Sequence, residues 1–359
     1  MWTTRPRRLH PSSPLARIAH LGAQPYIPTV PTGRSARWIA RPGSRPSPIA
    51  TATEGSSSLS YFQAIVIGLL QGVSELFPVS SLGHSVLVPA VFGWHNLVND
   101  QSASESFYLA FVVGLHVATA VALVIYFWLD WIRIIRGFVR TLRTRTIETA
   151  DERMAWLLVV ATIPVGLTGF LFEHSFRTLF AKPQLAGIFL AINGAILAGA
   201  ELLRRRRTAT VAEPSPAPGA TASADPAAST VTRRLATLKL TDGLSIGVAQ
   251  ILALFAGISR SGVTMAAGLL RGLDHEESAR FSFLLATPII LAAGILKVPD
   301  LVGPLGNGVR GQILVGSAAA GVAAYLSVRF LIRWFRTRTL WPFSIYCLVV
   351  GISSAIYFA

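Results

Sequence analysis

Charge is scarce in this chain, and so is cysteine. Only 14% of the 359 residues are Asp, Glu, Lys or Arg, against roughly 25% in a soluble globular domain, so an ordinary water-facing surface is excluded. The lone cysteine, Cys347, lies inside an apolar run. It rules out an intrachain disulfide and a cysteine-rich metal site, and it leaves the redox compartment open. Acidic residues are absent before Glu54, and the same N-terminal stretch lacks the apolar segment of a secretory signal. No zinc-finger, basic-zipper or RNA-binding pattern accompanies the net charge of +15. The arginines are therefore read as solvated or facing lipid headgroups, and no nucleic-acid partner is expected.

What is abundant is apolar: 52% of the chain, with a mean hydropathy of +0.53. Lipid must meet that surface. Six stretches approach the ~20 apolar residues that cross a bilayer core at about 1.5 Å per residue: Ser106 to Trp128, Met154 to Phe172, Leu185 to Leu203, Ala279 to Val298, Gln312 to Ile332 and Leu340 to Ala359. The sequence predicts an all-α polytopic membrane protein with these as its spans.

Residues 1–58 are rich in Arg, Pro and Ser and are expected to be disordered. Their composition is loosely that of an organelle transit peptide; the preferred expectation is an initiation site placed too early, with the folded chain beginning near Leu59. Thr208 to Thr232 is almost entirely Ala, Ser, Thr and Pro, too poor in apolar surface to fold. Residues 204–240 are thus expected to be a disordered cytoplasmic linker between membrane repeats at 59–203 and 241–359. Arginine-rich flanks stay cytoplasmic. Arg133, Arg136, Arg140, Arg143 and Arg145, then Arg204 to Arg207 with Arg233 and Arg234, then Arg333, Arg336 and Arg338 mark three inside loops. Residues 93–105, 173–184 and 299–311 and the C-terminus then fall outside.

Residues 61–92 and 241–272 each hold two apolar pieces too short to cross, separated by Gly, Ser and Pro, the pattern of a broken or re-entrant hairpin. Parity of the spans starts and ends the first hairpin outside and the second inside. The halves are therefore expected to form an inverted repeat, each one hairpin plus three transmembrane helices. A shift of 179 positions superposes Gly68 on Gly247, Gln71 on Gln250, Ser80 on Ser259 and Gly83 on Gly262. Inverted repeats with interrupted helices place a site near the midplane, with half-helix N-termini aimed at an anion.

The first hairpin reads Gln71-Gly-Val-Ser-Glu75-Leu-Phe-Pro78-Val-Ser80-Ser81-Leu-Gly83-His84. Gln71 and Glu75 stand at i and i+4 on one helix face, which Pro78 then closes. A glutamate at membrane depth is costly unless paired or hydrated, so its reading is functional; the alternative is a carboxylate at an aqueous hairpin mouth making structural hydrogen bonds. Ser80, Ser81 and Gly83 offer hydroxyls and close backbone approach at the start of the next helix, an anion cradle. His84 follows as nucleophile or proton donor, against the alternative of a satisfied structural histidine. The second hairpin reads Phe255-Ala256-Gly257-Ile258-Ser259-Arg260-Ser261-Gly262-Val263-Thr264. Arg260, between apolar pieces, needs an anion, and its guanidinium fork matches phosphate oxygens. A salt bridge to Glu75 is the other partner the sequence offers, and the two are compatible.

At these two stretches the chain resembles the undecaprenyl-diphosphate phosphatase family, also called bacitracin-resistance proteins. The family's first motif runs Glu-Gly-x-Thr-Glu-Phe-x-Pro-Val/Ile-Ser-Ser-x-Gly-His and its second Pro-Gly-x-Ser-Arg-Ser-Gly-x-Thr. The similarity continues through Phe107 to Phe127 and Phe281 to Pro288. The resemblance implies a multi-pass hydrolase of the bacterial plasma membrane, its site facing the outside, that converts undecaprenyl diphosphate to the monophosphate carrier of peptidoglycan synthesis. It also implies bacitracin resistance and a divalent cation, Mg2+ or Ca2+. Glu75 is then the catalytic and metal-binding acid with Gln71 beside it, His84 the base or nucleophile, and Arg260 the diphosphate clamp. Ser80, Ser81, Gly83, Ser259, Ser261, Gly262 and Thr264 are the implied phosphate contacts. Three positions depart from the pattern: Gln71 for Glu, Ser74 for Thr and Ala256 for Pro. Gln71 removes a carboxylate from the expected metal site, although a glutamine oxygen still coordinates a hard cation. The alternative is a polyprenyl-phosphate transporter or flippase, because inverted repeats and broken helices are the signature of secondary carriers. Neither motif sets an oligomeric state.

Overall fold

The computed structural model describes residues 59–94, 97, 107–180, 182–211, 237–303 and 308–359. The N-terminal residues 1–58 and most of the expected linker, 212–236, lie outside these. Among the described residues every regular element is a helix: α1 (Tyr61–Ser74), α2 (Ser81–Val91), α3 (Phe107–Tyr126), α4 (Trp128–Thr144), α5 (Ala150–Phe180), α6 (Pro183–Val211), α7 (Leu240–Ala249) continued by a 3-10 segment (Gln250–Leu254), α8 (Arg260–Leu270), α9 (His275–Val302), α10 (Arg310–Trp334) and α11 (Trp341–Tyr357).

Four helices are long and apolar enough to cross a membrane: Ala150–Phe172 of α5, Pro183–Arg206 of α6, His275–Leu296 of α9, and all of α10. The chain is a multi-pass membrane protein. The expected span at Ser106 to Trp128 is α3, which joins α4 across a bend of 86° at Phe127, where the backbone leaves helical geometry. The sixth expected span is α11, whose 17 residues make a rod of about 26 Å, slightly short of a ~30 Å hydrocarbon core.

Charge alone misread one segment. The stretch holding Arg133 to Arg145, expected to be a cytoplasmic loop, is the body of α4. Its arginines recur at three- and four-residue spacing, which leaves a separate stripe of Ile134, Gly137 and Thr141 to be buried against α5. There Trp156 Nε1 donates to Thr141 Oγ1 at 3.0 Å. Helix α6 likewise continues through Val211, taking in the arginines and first residues of the expected linker. Arginine is a good helix former, so a helix begun in lipid propagates through the run.

Lipid gives helices no hydrophobic reason to associate, so close packing of small residues does the work. Helix α1 lies along α10 with Gly68 against the Gly316 backbone, so close that a Cβ at Gly68 would collide with the Gly316 carbonyl. Helix α7 lies along α5 in the same way, Gly247 facing Ala161, whose Cα is 2.8 Å from where a Cβ would stand. Helix α11 runs along α6, where Ser344 Oγ donates to the Gly194 carbonyl at 2.8 Å. Gly68 and Gly247 are partners under the 179-position shift, and both stand where the backbone of a neighbouring helix leaves no room for a Cβ. The opposite orientation of the two halves is taken up below as a proposal.

Candidate active site

Each hairpin turns through a serine-capped break. Ser80 Oγ accepts the Gly83 N–H at 3.2 Å and starts α2; Ser259 Oγ accepts the Gly262 N–H at 3.1 Å and starts α8. Both leave first-turn N–H groups at a helix N-terminus, the end that favours an anion. The turns are also joined to each other. A Cβ on Gly83 would stand 2.9 Å from the Gly257 Cα, and Gly257 itself has φ +114, open to glycine and strained for other residues. Ser261 Oγ donates to the Phe77 carbonyl at 3.2 Å. From α6, Asn193 ties both: its amide nitrogen donates to the Pro78 carbonyl at 2.9 Å and its oxygen accepts the Ser259 N–H at 3.0 Å.

Glu75 is buried just after α1, within a ring of donors. Gln71 Nε2 donates to its Oε2 at 3.0 Å and Ser81 Oγ at 2.5 Å. Arg260 Nη2 pairs with its Oε1. His116 Nε2 lies 3.1 Å from Oε2, while His116 Nδ1 lies 2.8 Å from the Val112 carbonyl. Carbonyl and carboxylate oxygens only accept, so Nδ1–H points to Val112 and the Nε2 contact holds a proton between His116 and Glu75. His116 sits midway along α3, about 16 Å from the Phe127 bend at 1.5 Å per residue.

Arg260 is held by one nitrogen only. Its Nη1 is buried without a hydrogen-bond partner, at the first residue of α8. A buried guanidinium nitrogen left unpaired is expensive, and an anion arriving at the N-terminus of α8 would satisfy it. His84 faces the same turn. Its Nδ1 donates to the Ser80 carbonyl at 2.6 Å, which leaves Nε2 as the nitrogen with a lone pair in the neutral ring; Tyr346 Oη lies 2.8 Å from it. The ring is held in place by Ser80, whose φ of +72 is rare for a residue with a side chain and costs of order 1–3 kcal/mol.

The structure thus brings Gln71, Glu75, Ser81, His84 and Arg260 to the joined turns. The remaining hydroxyls are engaged by the protein: Ser80 and Ser259 as caps, Ser261 with Ser259 Oγ at 3.0 Å, and Thr264 Oγ1 with the Arg260 carbonyl at 2.8 Å and Ser282 at 2.5 Å. Gly83 and Gly262 supply the capped N–H groups. Three participants went unnoticed in the sequence: His116, Asn193 and Tyr346. His116 and Asn193 are polar residues inside apolar runs, so the argument that singled out Glu75 applied equally to them.

Among the described residues no three His, Cys, Asp or Glu converge as a metal-holding group. The hard ligands present are the Glu75 carboxylate, the Gln71 amide oxygen and the Ser81 hydroxyl. Both Glu75 oxygens are taken up by Gln71, Ser81, Arg260 and His116, so a cation here would displace some of these contacts and take its other ligands from phosphate and water, the usual habit of Mg2+ beside one or two carboxylates.

A family model described as bacitracin resistance protein BacA matches residues 64–353. The chain belongs to the BacA family. Among its relatives, Undecaprenyl-diphosphatase of Mycolicibacterium paratuberculosis is 56% identical over 306 residues, 85% of this chain and 99% of its own. Undecaprenyl-diphosphatase 2 of Frankia alni is 54% identical over 338 residues, 84% of this chain and 98% of its own. Undecaprenyl-diphosphatase of Granulibacter bethesdensis is 42% identical over 301 residues, 83% of this chain and 96% of its own. The BacA match takes in both hairpins and every helix from which a side chain reaches the site.

Proposed function

We propose that this BacA-family protein is an undecaprenyl-diphosphatase that releases inorganic phosphate from undecaprenyl diphosphate. The observation that carries the reading is Arg260: one guanidinium nitrogen fixed to a buried carboxylate, the other buried and unpartnered at the N-terminus of a helix. A terminal phosphate accepting from Nη1 and from first-turn N–H groups of α2 and α8 would be neutralised where charge builds up during transfer. His84 Nε2 then takes a proton from the attacking water, or attacks phosphorus itself to form a P–N bond that water cleaves in a second step to release inorganic phosphate, with Nδ1–H anchored on the Ser80 carbonyl. The bond from phosphorus to the bridging oxygen breaks, and undecaprenyl phosphate leaves with the electron pair. Glu75 orients Arg260 and shares a proton with His116.

A Mg2+ or Ca2+ ion held by Glu75 with the Gln71 amide oxygen and the Ser81 hydroxyl would supply further neutralisation at phosphate oxygens. We place the protein in the bacterial plasma membrane as an inverted repeat with the site open to the outside. The arginine flanks support that orientation, and the equivalent caps at Ser80 and Ser259 support the repeat. The product would re-enter peptidoglycan synthesis as the lipid carrier, and membership of the BacA family supports a role in bacitracin resistance. The test is phosphate release by purified protein in detergent, where no gradient exists. Release with undecaprenyl diphosphate is expected; lipid binding without release would assign the protein to the carrier class instead.

A further inference from the structure

One exposed face of α10 changes character along its length. Val322 and Leu326 are 61% and 58% exposed, and Ala318, Arg329 and Arg333 are exposed with them. At about 100° per residue the other four all fall within about 60° of Arg329 around the helix. They form a single stripe, apolar first and basic after. Arg336, on the next turn, pairs with Glu276 at 3.1 Å, and Arg280 of α9 pairs with Asp130 at 2.6 Å. Arg329 and Arg333 have no ion-pair partner among the described residues.

The apolar part of the stripe is one wall of a groove of about 510 Å3 between α3 and α10. Its floor is made of small residues: a Cβ on Gly321 would stand 3.6 Å from the Ala118 carbonyl. Its other wall is Val121 and Ile125 of α3, 47% and 59% exposed. The two helices run in the same direction here, Ala118 beside Gly321 and Tyr126 beside Tyr325, whose ring centroids are 6.0 Å apart. The groove therefore ends in two tyrosines on the side where the arginines begin, and the Tyr126 hydroxyl is within electrostatic reach of Arg333. Helix α10 crosses the membrane, and from Arg310 to Arg329 it is about 29 Å long, the thickness of a bilayer core. Arg329 then stands at one boundary, and the roughly 16 Å back to Ala318 is one leaflet. An arginine at that level lays its stem along acyl chains and its head among phosphates.

We propose that the groove between α3 and α10 binds an anionic bilayer phospholipid, one acyl chain between Val121 and Val322 and the headgroup phosphate on Arg329 and Arg333. A zwitterionic lipid fills the groove equally well but brings its own cation to the arginines. Basic residues at a membrane surface each favour anionic lipid by roughly five-fold, so the two together give about twenty-five-fold. The site is separate from the joined turns: His116, which faces Glu75, stands about 160–180° around α3 from Ala118 and Ile125.

The test uses the full chain in phosphatidylcholine nanodiscs doped with phosphatidylglycerol carrying a photoreactive acyl chain, with crosslinks mapped by mass spectrometry. Labelling of Val121, Ala318 and Val322 is expected to exceed that of Ile352 and Ile356, exposed on α11, and to fall at least ten-fold when phosphatidylcholine carries the same chain. Arg329→Gln with Arg333→Gln should lower groove labelling about twenty-five-fold while leaving the size-exclusion profile in detergent unchanged; Arg329→Lys with Arg333→Lys should keep most of the labelling. Ala318→Phe, which fills the groove and leaves both arginines, should lower it at least ten-fold. Equal labelling by the two headgroups, or undiminished labelling in the Gln pair or in Ala318→Phe, overturns the proposal. So does displacement of the label by undecaprenyl phosphate added in smaller amount than phosphatidylglycerol, which would give the groove to a polyprenyl chain.

Discussion

In the first hairpin the capping serine sits at φ +72; in the second, Ser259 sits at φ −83, with the same bond to the N–H three residues on. The frame is shared, yet the chemistry is divided. Under the 179-position shift Glu75 faces Leu254, His84 faces Val263, and Arg260 faces Ser81. The acid and the imidazole stand on one turn and the cation on the other, so neither hairpin can be a site alone. The glutamines diverge in the same sense: Gln71 turns to Glu75, whereas Gln250 Nε2 donates to the Ala161 carbonyl at 3.0 Å and helps hold α7 on α5. The first hairpin carries the acid, the imidazole and a glutamine turned to the acid; the second carries the arginine and a glutamine that holds a helix.

The hardest blow to this division is Glu75→Gln, which removes the only carboxylate at the turns among the described residues and leaves Arg260 and His116 facing an uncharged amide. Phosphate release by purified protein should drop at least a thousand-fold in kcat/KM, about 4 kcal/mol; a variant within ten-fold of wild type would take Glu75 out of the mechanism. Next is Arg260→Lys, which keeps the charge and loses the fork. It should cost at least ten-fold, about 1.4 kcal/mol, and near wild-type kinetics for Arg260→Ala would detach the arginine from phosphate. The capping serines sharpen the comparison further. Glycine substitution costs a cap only a few tenths of a kcal/mol, but at Ser80 it also releases the positive-φ strain. Ser80→Gly should therefore unfold at the same or a higher temperature than wild type, and Ser259→Gly slightly lower; the same sign at both would mean the frames are not energetically distinct. The smallest effect is expected from Gln71→Glu. A second carboxylate one helical turn from Glu75 favours a cation between them, so the Mg2+ concentration for half-maximal rate should fall a few-fold. An unchanged titration would show that the two side chains share no metal.

Much of this was legible in the sequence because membranes punish exceptions. Four of the six expected spans, α5, α6, α9 and α10, could be located from apolar length, and Glu75 and Arg260 stood out as charges where charge is costly. The serine-glycine breaks announced helix starts through ordinary capping chemistry. What stayed hidden required a third dimension. Nothing along the chain says that Asn193 lies between Pro78 and Ser259, or that Tyr346 reaches His84, because those contacts are made across separately inserted helices. Helix α4 was missed for a different reason: positive charge reports the side of the membrane, and it is silent on whether the arginines ride a loop or a helix. That distinction lay in the spacing of Ile134, Gly137 and Thr141 between them.

The ion pair at the heart of the site also sets an order of events during synthesis. Glu75 and Arg260 are 185 residues apart in the chain, and at 5–20 residues per second the ribosome takes roughly 10–40 s to deliver the second after the first. Throughout that interval the first hairpin holds an acid with no arginine and a turn with no clasp, a state costly enough in lipid to keep it hydrated or in the care of the insertion machinery. A chain that stops short of α8 never leaves it. The pairing that equips the finished enzyme for phosphate therefore forms only in chains synthesised at least as far as α8.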